Sequence, residues 1–218
     1  MENTEKLQKI RHSLAHLLAS AVMEFYPKTK LGIGPAIENG FYYDMDLPKD
    51  FKPEDLAKIE NRMRELIKEN QQFVGKKVSK LVAKRLFKAQ PYKLALIKDL
   101  VGATVGTYQN GAFLDLCKGG HITTTSEIDP DSFKLTKLAG AYWKGDEKNA
   151  MLTRIYGVAF ETAAQLQEYL KMQEEAEKRD HRLLGQKLDL FTISDLVGKG
   201  LPLFTPNGTM LRELLNEY

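Results

Sequence analysis

Only one cysteine, Cys117, occurs in the chain, which excludes an internal disulfide and fits a reducing compartment. Its thiol is free for binding or chemistry, and a cytoplasmic location is expected. The amino-terminal stretch MENTEKLQKIRH lacks the apolar core of an export signal. No apolar run approaches the roughly 20 residues of a membrane span, so neither export nor insertion, and no membrane partner, is expected. Repeats and low-complexity segments are absent. Net charge is also scarce: +3 is too small to demand a nucleic-acid partner, and the local cluster Lys76, Lys77, Lys80, Lys84, Arg85 and Lys88 reads first as a solvated helix face and second as a phosphate contact. What remains is ordinary for a globular protein, 43% hydrophobic and 28% charged over 218 residues, enough for one large core or two small ones.

Against that plain background two pairs stand out. His12 and His16 are four apart, and Cys117 and His121 are four apart in a Gly-rich stretch. Leu7, Ile10, Leu14, Leu17, Leu18 and Val22 recur at helical spacing over 4–25, so both histidines share a face beside the apolar stripe. Residues 31–47 read as a hairpin turning at Asn39-Gly40, with Phe41-Tyr42-Tyr43 as aromatic strand. Pro53 opens a second helix whose inward face is Leu56, Ile59, Met63 and Leu66, ending near Gln72. A strand at 73–78, helices at 81–87 and 92–100, and a second hairpin of 104–108 with 113–116 around Asn110-Gly111 follow. This hairpin runs directly into Cys117-Lys118-Gly119-Gly120-His121, where the paired glycines let the backbone approach a ligand. A further strand pair over 133–160 turns at Gly145-Asp146. From Thr162, with Gln165 placed to close a capping box, a charged helix reaches about His181 and reads as a linker. The remainder is too short for a domain of its own. The fold class expected is α+β: an antiparallel sheet with helices, a cleft between two subregions divided near 47–72, and a long linker helix.

The His-x-x-x-His pair has Ser13 where a zinc protease carries its glutamate base, which excludes that chemistry. Three histidines and a cysteine make a sensible tetrahedral zinc set; the same set without metal positions a water and moves protons. Spacing leaves both open. Asp115, two residues before Cys117, falls on the same strand face and reads either as a carboxylate that orients an imidazole or accepts from a substrate amine, or as an ordinary strand end. Lys93 is a candidate cation for an oxyanion or phosphate, Trp143 a packing anchor.

Arg11-His12-Ser13-Leu14-Ala15-His16, Ile33-Gly34-Pro35-Ala36-Ile37-Glu38-Asn39-Gly40-Phe41-Tyr42-Tyr43-Asp44, Asp115-Leu116-Cys117-Lys118-Gly119-Gly120-His121 and Tyr142-Trp143-Lys144-Gly145-Asp146 closely resemble, in order and spacing, the amino-terminal editing region of bacterial threonyl-tRNA synthetases. The resemblance covers essentially the whole chain. It implies an editing domain at 1–161, a linker helix at 162–182, and the start of a truncated class II catalytic domain at 183–218. Neither the small domain that usually precedes this region nor the ATP-binding and anticodon-binding domains are in the sequence, so ligation is not expected of it. The implied task is hydrolysis of mischarged seryl-tRNA(Thr), because a pocket that admits threonine rejects serine by only about 1–3 kcal/mol and a second sieve is required. By resemblance, His12, His16, Cys117 and His121 surround the ester. Asp115 meets the serine ammonium or a bridging water, Lys93 the terminal adenosine or oxyanion, and Tyr43 the pocket wall, with Gly119 and Gly120 against the substrate. The base stays open between His12 and a water held by several groups; direct attack by water is expected rather than a Cys117 nucleophile. Related alanyl editing domains hold zinc with a comparable set, whereas the threonyl type is expected to need none, with some zinc affinity at His12, His16, Cys117 and His121. Expected partners are the tRNA(Thr) acceptor end, met by some of Lys58, Arg62, Lys76 and Lys80, and the seryl adenosine ester; the full-length enzyme is expected to be a homodimer. The alternatives are a stand-alone zinc-dependent aminoacyl-tRNA deacylase and an RNA-binding module without chemistry.

Overall fold

A computed structural model describes residues 2–198 and 200–218. By internal contacts the chain divides into two units, one up to Leu166 and one from Gln167. Within the first unit, helix α1 (Glu2–Phe25) leads to strands β1 (Lys30–Leu31), β2 (Ala36–Ile37) and β3 (Gly40–Asp46), helix α2 (Asp55–Lys68), strand β4 (Phe73–Ser79), helices α3 (Lys80–Leu86) and α4 (Pro91–Asp99), and strands β5 (Thr104–Asn110), β6 (Phe113–Leu116), β7 (Phe133–Tyr142) and β8 (Met151–Ala159). The sheets are antiparallel and of two kinds. One has the order β1-β3-β8-β7 with β2 also on β3, and the other the order β4-β5-β6. An α+β fold results.

Alternation along β3 sends Phe41, Tyr43 and Met45 to one face, all at 0% exposure, against Leu14, Leu17 and Leu18 of α1 and Ile59 and Met63 of α2. A second, smaller core of Ala83, Phe87, Ile97 and Val105 belongs to the β4–β6 sheet and its two helices. Every residue of α1 from Ser13 to Val22 is buried, so this stretch of the helix is enclosed on all sides instead of showing the single apolar stripe that its leucines predict. Ser13, Ala15, Ala19, Ser20 and Ala21 supply the small surfaces on which its neighbours close. The two subregions meet along a cleft, and the chain passes between them at 68–73, at the end of the expected 47–72 division, and again after Leu116.

Several local expectations shift. In the first hairpin Ile37 pairs Gly40, so the loop is Glu38-Asn39, and neither Asn39 nor Gly40 takes a positive φ. Gly40 serves close approach: a Cβ there would stand 2.0 Å from the Gly157 carbonyl oxygen on β8. In the second hairpin Asn110 pairs Phe113 and the loop is Gly111-Ala112, with Gly111 at φ +53°. Pro53 sits in the turn before α2, which begins at Asp55, whose carboxylate accepts from the Lys52 N–H at 2.8 Å. That helix ends at Lys68, and Asn70 at φ +53° reverses the chain.

Helix α5 (Ala163–Lys178) is capped by Thr162, whose hydroxyl accepts from the Gln165 N–H; the Gln165 side chain accepts from Glu161 rather than closing back on Thr162. Helicity breaks at 179–180, where Asp180 caps α6 (His181–Lys187) by accepting from the Arg182 N–H. Strands β9 (Phe191–Ile193) and β10 (Pro202–Phe204) pair antiparallel, and Thr205 caps α7 (Pro206–Glu217). No described helix is long and apolar enough to cross a membrane.

Candidate active site

Three elements carry the cluster. Helix α1 presents His12 and His16 one turn apart, β6 carries Asp115 next to its last residue, Leu116, and the loop after it brings Cys117 and His121 back to α1. Glycine makes that loop possible. The Cys117 carbonyl lies where a Cβ of Gly106 would stand, 2.3 Å away, and the Cys117 N–H bonds the Gly106 carbonyl at 3.1 Å. Gly119 and Gly120, at φ +116° and +87°, then fold the backbone in a conformation that side chains disfavour.

Cys117 Sγ lies 3.3 Å from His121 Nε2 and 3.5 Å from His12 Nε2, and it accepts from the Gly119 N–H at 3.3 Å. The His121 ring stacks on Phe73 (4.9 Å, 9° between planes) and on His12 (4.2 Å), with Tyr108 and His16 also against it. That burial, reinforced by the neighbouring imidazoles, depresses its pKa to about 2. Burial likewise holds His12 below the ordinary histidine value and His16 well below it. Burial pushes the Cys117 thiol up, with Asp115 adding to the rise. The site is therefore a set of neutral imidazoles around a protonated thiol at neutral pH.

Beside it lies a polar trio. The Lys93 ammonium, 2% exposed, contacts Asp115 Oδ1 at 2.5 Å and donates to the Tyr43 hydroxyl at 2.9 Å; Tyr43 in turn donates to Asp115 Oδ2 at 2.5 Å, and the Leu116 N–H donates to Oδ1 at 2.7 Å. Burial and the Asp115 charge keep Tyr43 far above the usual phenol pKa. His16 Nε2 is 3.8 Å from Asp115 Oδ2, which links trio and cluster. His16 Nδ1 is buried without a protein hydrogen-bond partner.

Both groups open on one cleft of about 680 Å³, walled by Ile33, Gly34, Pro35 and Leu96 and rimmed by Gln8 and Lys9. His12, His16, Lys93, Asp115, Cys117 and Gly120 line it directly; Tyr43 stands behind Asp115 and beneath Gly34, and Gly119 shapes the loop. Arg11, beside the cluster, is structural: its guanidinium donates to the Ala159 carbonyl at 3.0 Å and to the Glu38 carbonyl, tying α1 to the sheet. The half-buried Trp143 packs on Tyr92 at 4.9 Å, and Lys144 contacts Asp99, so the tip between β7 and β8 braces the helix that carries Lys93.

The basic residues expected to meet an acceptor stem are mostly engaged elsewhere. Arg62 is held by Glu24, Glu65 and Glu69, Lys58 lies over the Phe25 ring, and Lys80 donates to the Leu100 carbonyl, while Lys76 is exposed on β4. Sequence reasoning missed Ser13, whose hydroxyl lies 3.2 Å from His121 Nδ1, and the Phe73 and Tyr108 rings on His121. Their only signal is proximity: Ser13 sits between the two histidines, and Tyr108 faces Asp115 across the second hairpin.

As a metal set the cluster fits in donor type. One atom from each of His12, His16, Cys117 and His121 lies within 4.8 Å of the others, whereas ligands on one tetrahedral zinc stand about 3.5 Å apart, so binding would require the ring to contract.

Residues 105–156 match the family described as the threonyl and alanyl tRNA synthetase second additional domain. The chain is 52% identical over 217 residues to the threonine–tRNA ligase of Gloeobacter violaceus, covering 98% of this chain and 35% of that protein. It is 52% identical to that of Dehalococcoides mccartyi, over 97% of this chain and 36% of the relative, and 51% identical to that of Pelobacter propionicus, over 100% and 34%. The chain thus spans about a third of the length of the curated relatives it matches. A site of three imidazoles, a thiol and a buried Lys–Asp–Tyr trio therefore sits on a chain whose residues 105–156 match the second additional domain of threonyl and alanyl tRNA synthetases and which is similar, along nearly its whole length, to about a third of the length of bacterial threonine–tRNA ligases.

Proposed function

We propose that the first unit removes serine from mischarged tRNA of the threonine acceptor by hydrolysing the ester between the amino acid and the terminal ribose, as the proofreading part of a threonine–tRNA ligase. The observation that carries this reading is the convergence of neutral imidazoles, a buried ammonium and a carboxylate on one cleft, in a chain whose relatives are named threonine–tRNA ligases. Those ligases face serine, one methyl smaller than threonine, which binding alone rejects by only about 10–200-fold.

The geometry supports the following roles. A water attacks the ester carbonyl while a neutral imidazole takes its proton; His12, on the cleft wall, is the base. The carbon–oxygen bond to the ribose then breaks and the proton passes to the leaving ribose oxygen. The partnerless, buried His16 Nδ1 is a natural neighbour for the water, since buried polar atoms are ordinarily satisfied. Asp115 takes the serine ammonium, and Lys93 stabilises the developing oxyanion or the terminal ribose. A protonated Cys117 is a poor nucleophile, which favours direct attack by water. The walls formed by Ile33, Gly34 and Pro35 leave the pocket for serine and exclude the extra methyl. Residues 1–161 would be the editing domain, 162–182 a linker, and 183–218 the beginning of the synthetase body, with the cytoplasm as location and a homodimer as the full enzyme.

A second reading, a zinc-dependent aminoacyl-tRNA deacylase, is favoured by the three-histidine, one-cysteine donor set. Bound there, zinc would lower the pKa of a water and make the hydroxide itself. Seryl-tRNA hydrolysis by the chain and by His12→Ala, with and without a strong chelator, separates the two. The first reading expects chelator-insensitive hydrolysis that falls at least about a hundredfold in the variant; loss of activity on chelation with recovery on zinc addition would replace it with the second.

A further inference from the structure

We propose that Ser13 is a positioning residue that fixes the tautomer of His121 and so orders the protons of the whole His–Cys cluster toward His12. In its consequence for hydrolysis this rests on the ester-hydrolysing reading above; in its geometry it does not.

Ser13 is wholly buried, at 0% exposure, on the α1 turn between His12 and His16. Its oxygen has two hydrogen-bond neighbours among the described residues. The Ile122 backbone N–H, 3.2 Å away, can only donate. His121 Nδ1, also at 3.2 Å, is therefore the acceptor left for the hydroxyl proton. An imidazole that accepts at Nδ1 carries its hydrogen on Nε2 when neutral, and the packing of the ring among Phe73, Tyr108 and two further imidazoles favours the neutral form.

The order propagates. His121 Nε2–H points at Cys117 Sγ at 3.3 Å, and the Gly119 N–H donates to the same sulfur at 3.3 Å. With two donors on the sulfur, the thiol hydrogen goes to an acceptor, and His12 Nε2 at 3.5 Å is nearer than the Gly119 carbonyl at 3.8 Å. His12 then keeps its own hydrogen on Nδ1, the nitrogen next to Gly120, and its unprotonated Nε2 becomes the basic nitrogen of the cleft when the thiol hydrogen turns to the Gly119 carbonyl, 3.8 Å from the sulfur. A metal on His121 Nε2 would need the reverse: a hydrogen on Nδ1, with Ser13 accepting. The hydroxyl thus holds the cluster in its thiol-bonded, metal-free arrangement.

The test is a long-range proton–nitrogen NMR spectrum of the full chain labelled at histidine, at neutral pH and with chelator present. The expected result is His121 protonated at Nε2 and bare at Nδ1; a His121 protonated at Nδ1 overturns the proposal, and this measurement needs no variant. In Ser13→Ala, loss of a hydrogen bond that biases the tautomers by a factor of about 5–10 should give a mixed His121 signal. The same factor is expected as a fall in kcat for seryl-tRNA at unchanged KM, and Ser13→Thr, which keeps the hydroxyl, should restore both. A Ser13→Ala protein that keeps the pure Nε2–H form overturns the proposal. A wild-type chain that shows the expected tautomer yet hydrolyses no aminoacyl ester overturns the proofreading reading and leaves the role of Ser13 intact.

Discussion

Replacing Asp115 by Asn removes one charge and almost no volume from a site where both partners of an ion pair are 2% exposed. The carboxylate accepts from the Lys93 ammonium and the Leu116 N–H on one oxygen and from Tyr43 on the other. An amide offers a single acceptor oxygen. Turned toward Lys93, it sets its own N–H₂ against the Tyr43 hydroxyl, which then loses its acceptor, and the ammonium stays buried without a counter-charge. Breaking a buried pair from one side costs about 3–5 kcal/mol, or roughly 6–20 °C in the melting temperature of a unit of this size. Trp143 is the single tryptophan and belongs to the first unit, so its fluorescence during urea unfolding reports that unit alone. Lys93→Met should cost a similar amount, because it strands the carboxylate. The double variant should cost several kcal/mol less than the sum of the two, since neither charge remains to be stranded. Additive losses, or a single-variant cost under about 1 kcal/mol, would refute the claim that the trio is one desolvated unit.

Acid should destabilise the first unit in a defined window. His121, at about 2 when folded and near 6.5 when unfolded, binds fewer protons in the native state. Stability is therefore complete above the unfolded pKa and falls as pH drops below it, by about 2 kcal/mol between pH 7 and pH 5 from this residue alone. His16 and His12, also depressed by burial, add in the same direction. Urea midpoints of the Trp143 signal across that range check it, and a His121→Phe variant should flatten the slope; a flat wild-type profile would contradict it. Gly34→Ala should destabilise by roughly 1–3 kcal/mol and impair hydrolysis, because its Cβ would stand 2.2 Å from the Tyr43 ring, which is pinned by Lys93 and Asp115. Wild-type stability and turnover in that variant would show that the wall at 33–36 yields freely.

The candidate site was legible where local periodicity and chemistry coincide. His12 and His16 share a helix face because both the leucine pattern and the i, i+4 spacing say so, and Gly119-Gly120 announce a backbone that must fold tightly beside Cys117. Lys93 is different. A lysine at helical spacing predicts exposure, and its burial against Asp115 and Tyr43 follows from α4 closing on a strand 50 residues earlier, a long-range fact that neither spacing nor the family resemblance carried, since the resemblance placed Lys93 only near the terminal adenosine or oxyanion. Ser13 carried no signal beyond its place between the two histidines, because a serine in a helix is unremarkable until its neighbour across the loop is known. The hairpin loops each slipped by one residue for a physical reason: Asn-Gly was read as turn chemistry, whereas Gly40 is required by the close passage of β8, and in the second hairpin the positive φ falls on Gly111 alone. The enclosure of α1 on all sides from Ser13 to Val22 was likewise hidden, since alanines and serines count as neutral in a helical pattern yet are what lets two subregions close on it.

The central claim is that this cleft tells a seryl ester from a threonyl ester and cuts the first with its own side chains. Single-turnover hydrolysis of seryl-tRNA and threonyl-tRNA of the threonine acceptor, by the unmodified chain in the presence of chelator, measures it directly. The account predicts rapid release of serine and a rate for threonine at least about tenfold lower, the least that exclusion of one methyl provides. Equal rates for the two esters, or release of serine no faster than in the absence of the protein, would contradict it.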